Sequence, residues 1–98
     1  MKELEINFTG RGEVRGFEFH QVYKDMFGYI YQVNTPFGST HYEVFERKVN
    51  SRYNTVTYPS SKAFGRYAFT FKTITSAMNK LNELKNEQNE RNKHKGLS

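Results

Sequence analysis

The residues best equipped for chemistry lie between positions 47 and 72. Arg47, Lys48, Arg52, Lys62, Arg66 and Lys72 put six cations into this stretch, with no Asp or Glu among them. Tyr53, Tyr58, Phe64, Tyr67, Phe69 and Phe71 are interleaved with these charges. Cations at this density attract a polyanion. Exposed rings beside them can stack on unpaired bases at roughly 1–3 kcal/mol per base, while Arg and Lys neutralise phosphates. The pattern points to nucleic acid, with Arg47, Lys48, Arg52, Lys62 and Arg66 on phosphates and Tyr53, Tyr58 and Tyr67 stacking. A plainer reading fits the same residues: a solvated basic face, with Tyr67, Phe69 and Phe71 forming core under a helix.

Charge is uneven along the rest of the chain. The formal net charge is +5, yet residues 1–46 hold four basic and seven acidic groups, and residues 73–98 hold five basic and three acidic. The positive excess is therefore concentrated in the 47–72 segment.

Other constellations carry less chemistry. Gly10-Arg11-Gly12-Glu13-Val14-Arg15-Gly16 approaches a dinucleotide-binding loop, but its third glycine is one place late and a strand follows. His20, His41 and His94 are isolated, and none has metal-ligand spacing on a shared helix face. His20 with Glu18, and His41 with Glu43, lie two apart and can share a strand face as polar pairs. Ser60-Ser61-Lys62 has no context for an oxyanion hole. Glu3, Glu5, Glu13, Glu18, Asp25, Glu43 and Glu46 fall at exposed alternation positions or turns, so an acid/base pair would depend on the fold bringing two together. With no cysteine, a thiolate metal site, a cysteine nucleophile and a disulfide framework are all excluded. The expectation is a protein that is not an enzyme and uses neither cofactor nor metal.

The elements that must position these residues follow from periodicity. Leu4, Ile6 and Phe8 alternate with polar residues, which predicts a strand. Val14–Tyr23 predicts a second, with a face-swapping bulge at Gly16. Tyr29–Asn34 and His41–Val49 predict a third and fourth, separated by the Thr35-Pro36-Phe37-Gly38-Ser39 reversal. Tyr53–Tyr58 predicts a fifth, ended by Pro59, and Tyr67–Lys72 a sixth. The period then changes. Ile74, Ala77, Met78, Leu81 and Leu84 form a helical stripe, with Thr73 or Thr75 as N-cap. The expected fold is α+β: an antiparallel sheet of five or six strands, open or strongly curved, with one C-terminal helix on one face. Residues 1–85 form the single domain, and 86–98 read as a polar, flexible tail. A helix of about 12 residues covers three or four strands, so the other sheet face must curl, pair with a second copy as a homodimer, or bind a partner.

With 98 residues there is room for one domain. No apolar run approaches the ~20 residues of a membrane span. Met1-Lys2-Glu3-Leu4-Glu5 has no apolar secretory core, so a cytoplasmic location without membrane contact is expected.

Arg66-Tyr67-Ala68-Phe69 and Arg15-Gly16-Phe17-Glu18-Phe19 each share part of the aromatic signature of the RNA-recognition motif. That fold needs a helix between its first two strands, and residues 9–28 show no helical period. A different resemblance covers residues 40–84. Tyr42-Glu43-Val44-Phe45-Glu46-Arg47-Lys48, Tyr58-Pro59, Phe64-Gly65-Arg66-Tyr67-Ala68-Phe69 and an Ala77–Leu84 helix together resemble a type of small, uncharacterised protein of phages and other mobile elements. The resemblance implies no activity and transfers no site residue. It implies two roles common among such proteins: handling nucleic acid, or binding and inhibiting a host protein, for example in defence. The expected function is therefore a binding module for nucleic acid through residues 47–72, with docking on an acidic host protein as the alternative.

Overall fold

The computed structural model describes the backbone of residues 2–96 and the side chains of residues 2–91. It is α+β, with strands β1 (Asn7–Thr9), β2 (Glu18–Lys24), β3 (Gly28–Asn34), β4 (Thr40–Glu46), β5 (Val49–Asn50), β6 (Thr55–Val56) and β7 (Ala68–Phe71), followed by helix α1 (Ile74–Gly96). Five strands form an open sheet in the order β1-β2-β3-β4-β7, antiparallel throughout. Strands β5 and β6 pair separately as a short antiparallel ribbon.

Register assigns the faces. Tyr29, Tyr31 and Val33 of β3 share one face with Phe45 of β4, Ala68 of β7, Phe19 of β2 and Phe8 of β1. Ile30, Val44, Phe69 and Phe71 lie on the other, where Ala77 and Leu81 of α1 cover them. The helix lies on β3, β4 and β7, the span that its apolar stripe predicts. Thr73 caps it, accepting a hydrogen bond from the Ser76 N–H at 3.2 Å. Uncovered β1 and β2 present Asn7, Thr9, Glu18 and His20 on the helix side. That strip is polar and needs no cover, and His20 Nδ1 lies 2.8 Å from Asn7 Oδ1 within it.

The aromatic face, which the strand pattern left to curl, to take a second copy or to bind a partner, is not bare. The chain covers it with its own arm (residues 2–6), the β1–β2 loop (10–17) and the excursion 49–66. Here this cover is termed the loop layer. It packs Leu4, Phe17, Tyr58 and Phe64 onto the sheet. Backbone bonds stitch the arm to the β5–β6 ribbon: Lys2 N donates to Asn54 O at 3.1 Å, and Val56 N to Lys2 O at 2.8 Å.

Three element predictions are corrected. The face-swapping bulge is at Val22, between Gln21 and Tyr23, rather than at Gly16. Gly16 instead takes a φ of 87° in the β1–β2 loop. The first strand is shorter than Leu4–Phe8, since residues 2–6 form the arm and Ile6 is 63% exposed. The fifth strand shrinks to Thr55–Val56, because Asn54 takes a left-handed φ of 52° and turns the chain.

The helix is longer than its apolar stripe, running on through the polar segment to Gly96. Its 23 residues span about 34 Å, against about 23 Å for a seven-residue strand. Lys85 and Arg91 reach back from it to Asp25 and Glu46. Burial alone would raise the Asp25 carboxyl, but Lys85 and the Phe27 and Gly28 N–H groups hold it below its usual value. The His94 side chain and Leu97 lie outside the described residues, as do residues 97–98 of the expected tail. Among the described residues no helix is long and apolar enough to cross a membrane.

Candidate nucleic-acid interface

The 47–72 residues fall into three groups. Arg47 and Tyr58 are structural, which corrects their assignment to phosphate contact and base stacking. Arg47 follows β4 and meets Glu3 of the arm through both Nε, at 3.1 Å from Oε1, and a terminal nitrogen on Oε2. The Tyr29 hydroxyl donates to the same carboxylate, and Lys24 Nζ lies 3.4 Å away. A forked guanidinium on a carboxylate is a strong, oriented pair. It holds the Glu3 carboxyl down to about 2, and Glu3 in turn raises the Arg47 guanidinium further above its ordinary range. Burial, then Glu3, push the Tyr29 phenol up to about 12. Arg47 thus latches the arm across the sheet and is neutralised there.

Tyr58 is a core ring. Its centroid lies 4.8 Å from Phe45, 5.2 Å from Phe19 and Tyr31, and 5.6 Å from Phe8, in edge-to-face contacts. Its hydroxyl donates to Glu43 Oε1 at 2.6 Å. Burial, reinforced by the Glu43 charge, raises the phenol well above its usual range.

Lys48 and Tyr67 form a second group. Lys48 Nζ sits 4.7 Å from the Tyr67 ring centroid and 3.6 Å from Glu46, and Tyr67 is half-buried. Both are partly occupied by each other, with β4 and β7 bringing them side by side.

Arg52, Tyr53, Lys62 and Arg66 remain at the surface. Tyr53 is 64% exposed and the Arg52 guanidinium lies 5.4 Å from its centroid. Lys62 is on the turn Ser61–Ala63, and Arg66 follows Gly65, whose φ of 90° reverses the chain into β7. The structure does not gather the predicted residues into one platform. It yields two separate cation–ring pairs and two exposed cations.

It adds residues that the segment boundary concealed. Arg11 lines clefts shared with Lys2 and Tyr58 on one side and with Arg15 and Phe8 on the other. Lys2, Arg11 and Arg15 therefore join Arg52, Lys62 and Arg66 in the loop layer. Among the described residues none of these six forms an ion pair. The acids lining the same clefts are Glu3, Glu5, Glu13 and Glu43, of which Glu3 is taken by Arg47 and Glu43 by Tyr58 and His41. At the opposite extreme, Lys80, Lys85 and Arg91 of α1 each pair with a carboxylate. Two arginines flanking glycines in a turn were the available sequence signal for Arg11 and Arg15. Their distance along the chain from residue 47 hid it.

Glu43 is the other residue that spacing alone undervalued. The predicted His41–Glu43 pair forms, with Nε2 at 2.8 Å from Oε2. Glu43 borders a cleft of about 540 Å³ between the β1–β2 loop and residues 58–64. No protein-family model, curated protein or solved structure matches the chain.

Proposed function

We propose that the protein associates with nucleic acid, single strands in particular, across its loop layer. The observation that carries this reading is the sorting of charge. Lys2, Arg11, Arg15, Arg52, Lys62 and Arg66 have no ion pair among the described residues and share the layer that covers one sheet face, while Lys80, Lys85 and Arg91 of α1 are each paired. Unpaired cations release condensed counterions when they meet phosphates, and that release drives non-specific binding. The exposed Tyr53 ring, backed by Arg52, offers a stacking surface that duplex DNA does not need.

The test is fluorescence anisotropy with labelled single-stranded and duplex oligonucleotides at about 50 and 200 mM salt. Binding should favour single strands and weaken with salt. The Lys62→Gln/Arg66→Gln double variant should lower affinity and flatten the salt slope by roughly 0.7 per lost phosphate contact. No binding at low salt ends the proposal.

A second reading, a mobile-element protein that docks on an acidic host protein, is favoured by Phe37. This ring stays 85% exposed at the β3–β4 turn, edge-on to Phe17 at 6.3 Å. Exposed aromatics of this kind anchor protein interfaces. Capture of one host protein that survives nuclease treatment and is lost in Phe37→Ser favours it over the first.

A further inference from the structure

We propose that the cleft beside Glu43 receives one unpaired guanine base of the bound strand, an inference that rests on the nucleic-acid reading above. The cleft holds about 540 Å³, ample for a nucleobase, and Phe17, Phe19 and Phe64 line it. Aromatic walls of this kind stack on bases splayed from a single strand. What selects among bases is the polar group. Glu43 carries the carboxylate that borders the cleft, with its side chain 15% exposed. Its two oxygens take one partner each, Tyr58 OH at 2.6 Å and His41 Nε2 at 2.8 Å. A carboxylate accepts about four hydrogen bonds and donates none. Two acceptor positions therefore stay open, held in place by core tyrosine and strand histidine.

An acceptor-only edge matches guanine. Its Watson–Crick edge presents two adjacent donors, N1–H and the N2 amino group. Adenine and cytosine each set a ring acceptor next to their amino donor, and thymine or uracil flanks its single N–H with two carbonyls. Each of these would face the carboxylate with a lone pair. A site built to take a donor pair discriminates strongly against bases that lack it, because the mismatch leaves buried polar groups unpaired. The charge arrangement around the cleft fits a nucleotide: Arg11 borders the same cleft, and Lys62 adjoins Ser61 on its lining. The base donors would meet the inner carboxylate while the phosphates meet the outer cations.

The test measures anisotropy of a labelled thymidine dodecamer against dodecamers with one central guanine, adenine, cytosine or hypoxanthine. The guanine strand should bind about tenfold more tightly than the adenine strand. The hypoxanthine strand, which lacks the N2 amino donor, should lose most of that advantage on the unmodified protein. Glu43→Gln, which presents one acceptor and one donor in place of two acceptors, should lose the preference for the guanine strand over the adenine strand. Equal binding of the guanine and adenine strands, or full retention of the preference with hypoxanthine, overturns the guanine site and leaves general nucleic-acid binding standing. Failure of every strand to bind at low salt overturns both. The hypoxanthine comparison needs no variant, so it decides the matter even if Glu43→Gln folds poorly.

Discussion

Replacing Tyr58 with alanine separates the two roles that a ring in a basic segment can play. As a stacking platform it would contribute to binding and little to folding. Its surroundings assign it the reverse. Four rings, Phe8, Phe19, Tyr31 and Phe45, surround it at centroid distances of 4.8–5.6 Å. A ring of this size removes at least about 150 Å² from water, worth about 4 kcal/mol at 25 cal/mol/Å². Truncation of a large buried aromatic costs about 3–5 kcal/mol. Since about 1 kcal/mol moves the Tm of a domain this size by 4–8 °C, Tyr58→Ala should lower Tm by at least about 12 °C. Tyr58→Phe keeps the packing and removes only the hydrogen bond to Glu43. A bond to a charged acceptor contributes about 1.5–3 kcal/mol, so the Phe variant should fall between wild type and Ala. Thermal unfolding followed by circular dichroism, with denaturant midpoints alongside, measures both. If Tyr58→Ala melts within about 2 °C of wild type while losing oligonucleotide affinity, the packing argument is wrong and the ring faces outward.

The Glu3 latch should be visible in acid. Its carboxyl sits at about 2 when folded against an ordinary 4.5, so the stabilisation is complete above about pH 4.5 and is lost as pH falls towards 2. Because Glu3 is 31% exposed, screening trims this to about 1–2 kcal/mol; wild type and Glu3→Gln stability curves should converge across that window, and parallel curves would count against the latch. Gly28→Ala should cost about 1–3 kcal/mol in a urea titration, since a Cβ would stand 2.4 Å from the Phe45 carbonyl oxygen and 2.9 Å from Leu81 Cδ1. Thr73→Ala should cost about 1 kcal/mol in the same assay through loss of the helix cap.

Much of the fold was legible because its strands carry a two-residue period, even where, as at Ile30, both faces are buried. Tyr29, Tyr31 and Val33 alternate cleanly, and the sheet uses them as read. The Ala77-Leu81-Leu84 stripe likewise predicts a helix whose three residues are all buried. Val22 was not legible, since a bulge there lets Phe19 and Tyr23 face opposite sides without a glycine to mark it. The helix extension beyond Leu84 carries no apolar period, and its contacts back to the sheet, Lys85 to Asp25 and Arg91 to Glu46, are long-range charge pairs. The same limit explains the site. Arg47 reads as a loose cation until the arm folds back over the sheet and brings Glu3 to it across 44 positions. Tyr58 reads as a stacking ring at the end of a short strand in a basic neighbourhood, yet it lies beyond β6 in a segment pressed onto the aromatic face.

The layering also determines which perturbations can test function without unfolding the protein. The helix covers β3, β4 and β7, and the strip it leaves on β1 and β2 is polar, so that face has little hydrophobic drive to recruit a partner. The aromatic face is closed by the chain itself. The binding proposed above would use the outer surface of the loop layer, while the inner surface of that layer is core. Tyr58 belongs to both, packing inward against Phe45 and holding Glu43 at the cleft. A variant at Tyr58, Arg47 or Glu3 therefore changes stability and surface together, and a loss of binding there proves nothing about contact. Lys62 and Arg66 are exposed and without an ion pair among the described residues. Substitutions away from packed features usually shift stability by no more than about 0.5 kcal/mol. A change in affinity or salt slope on altering those two can thus be read as a lost contact.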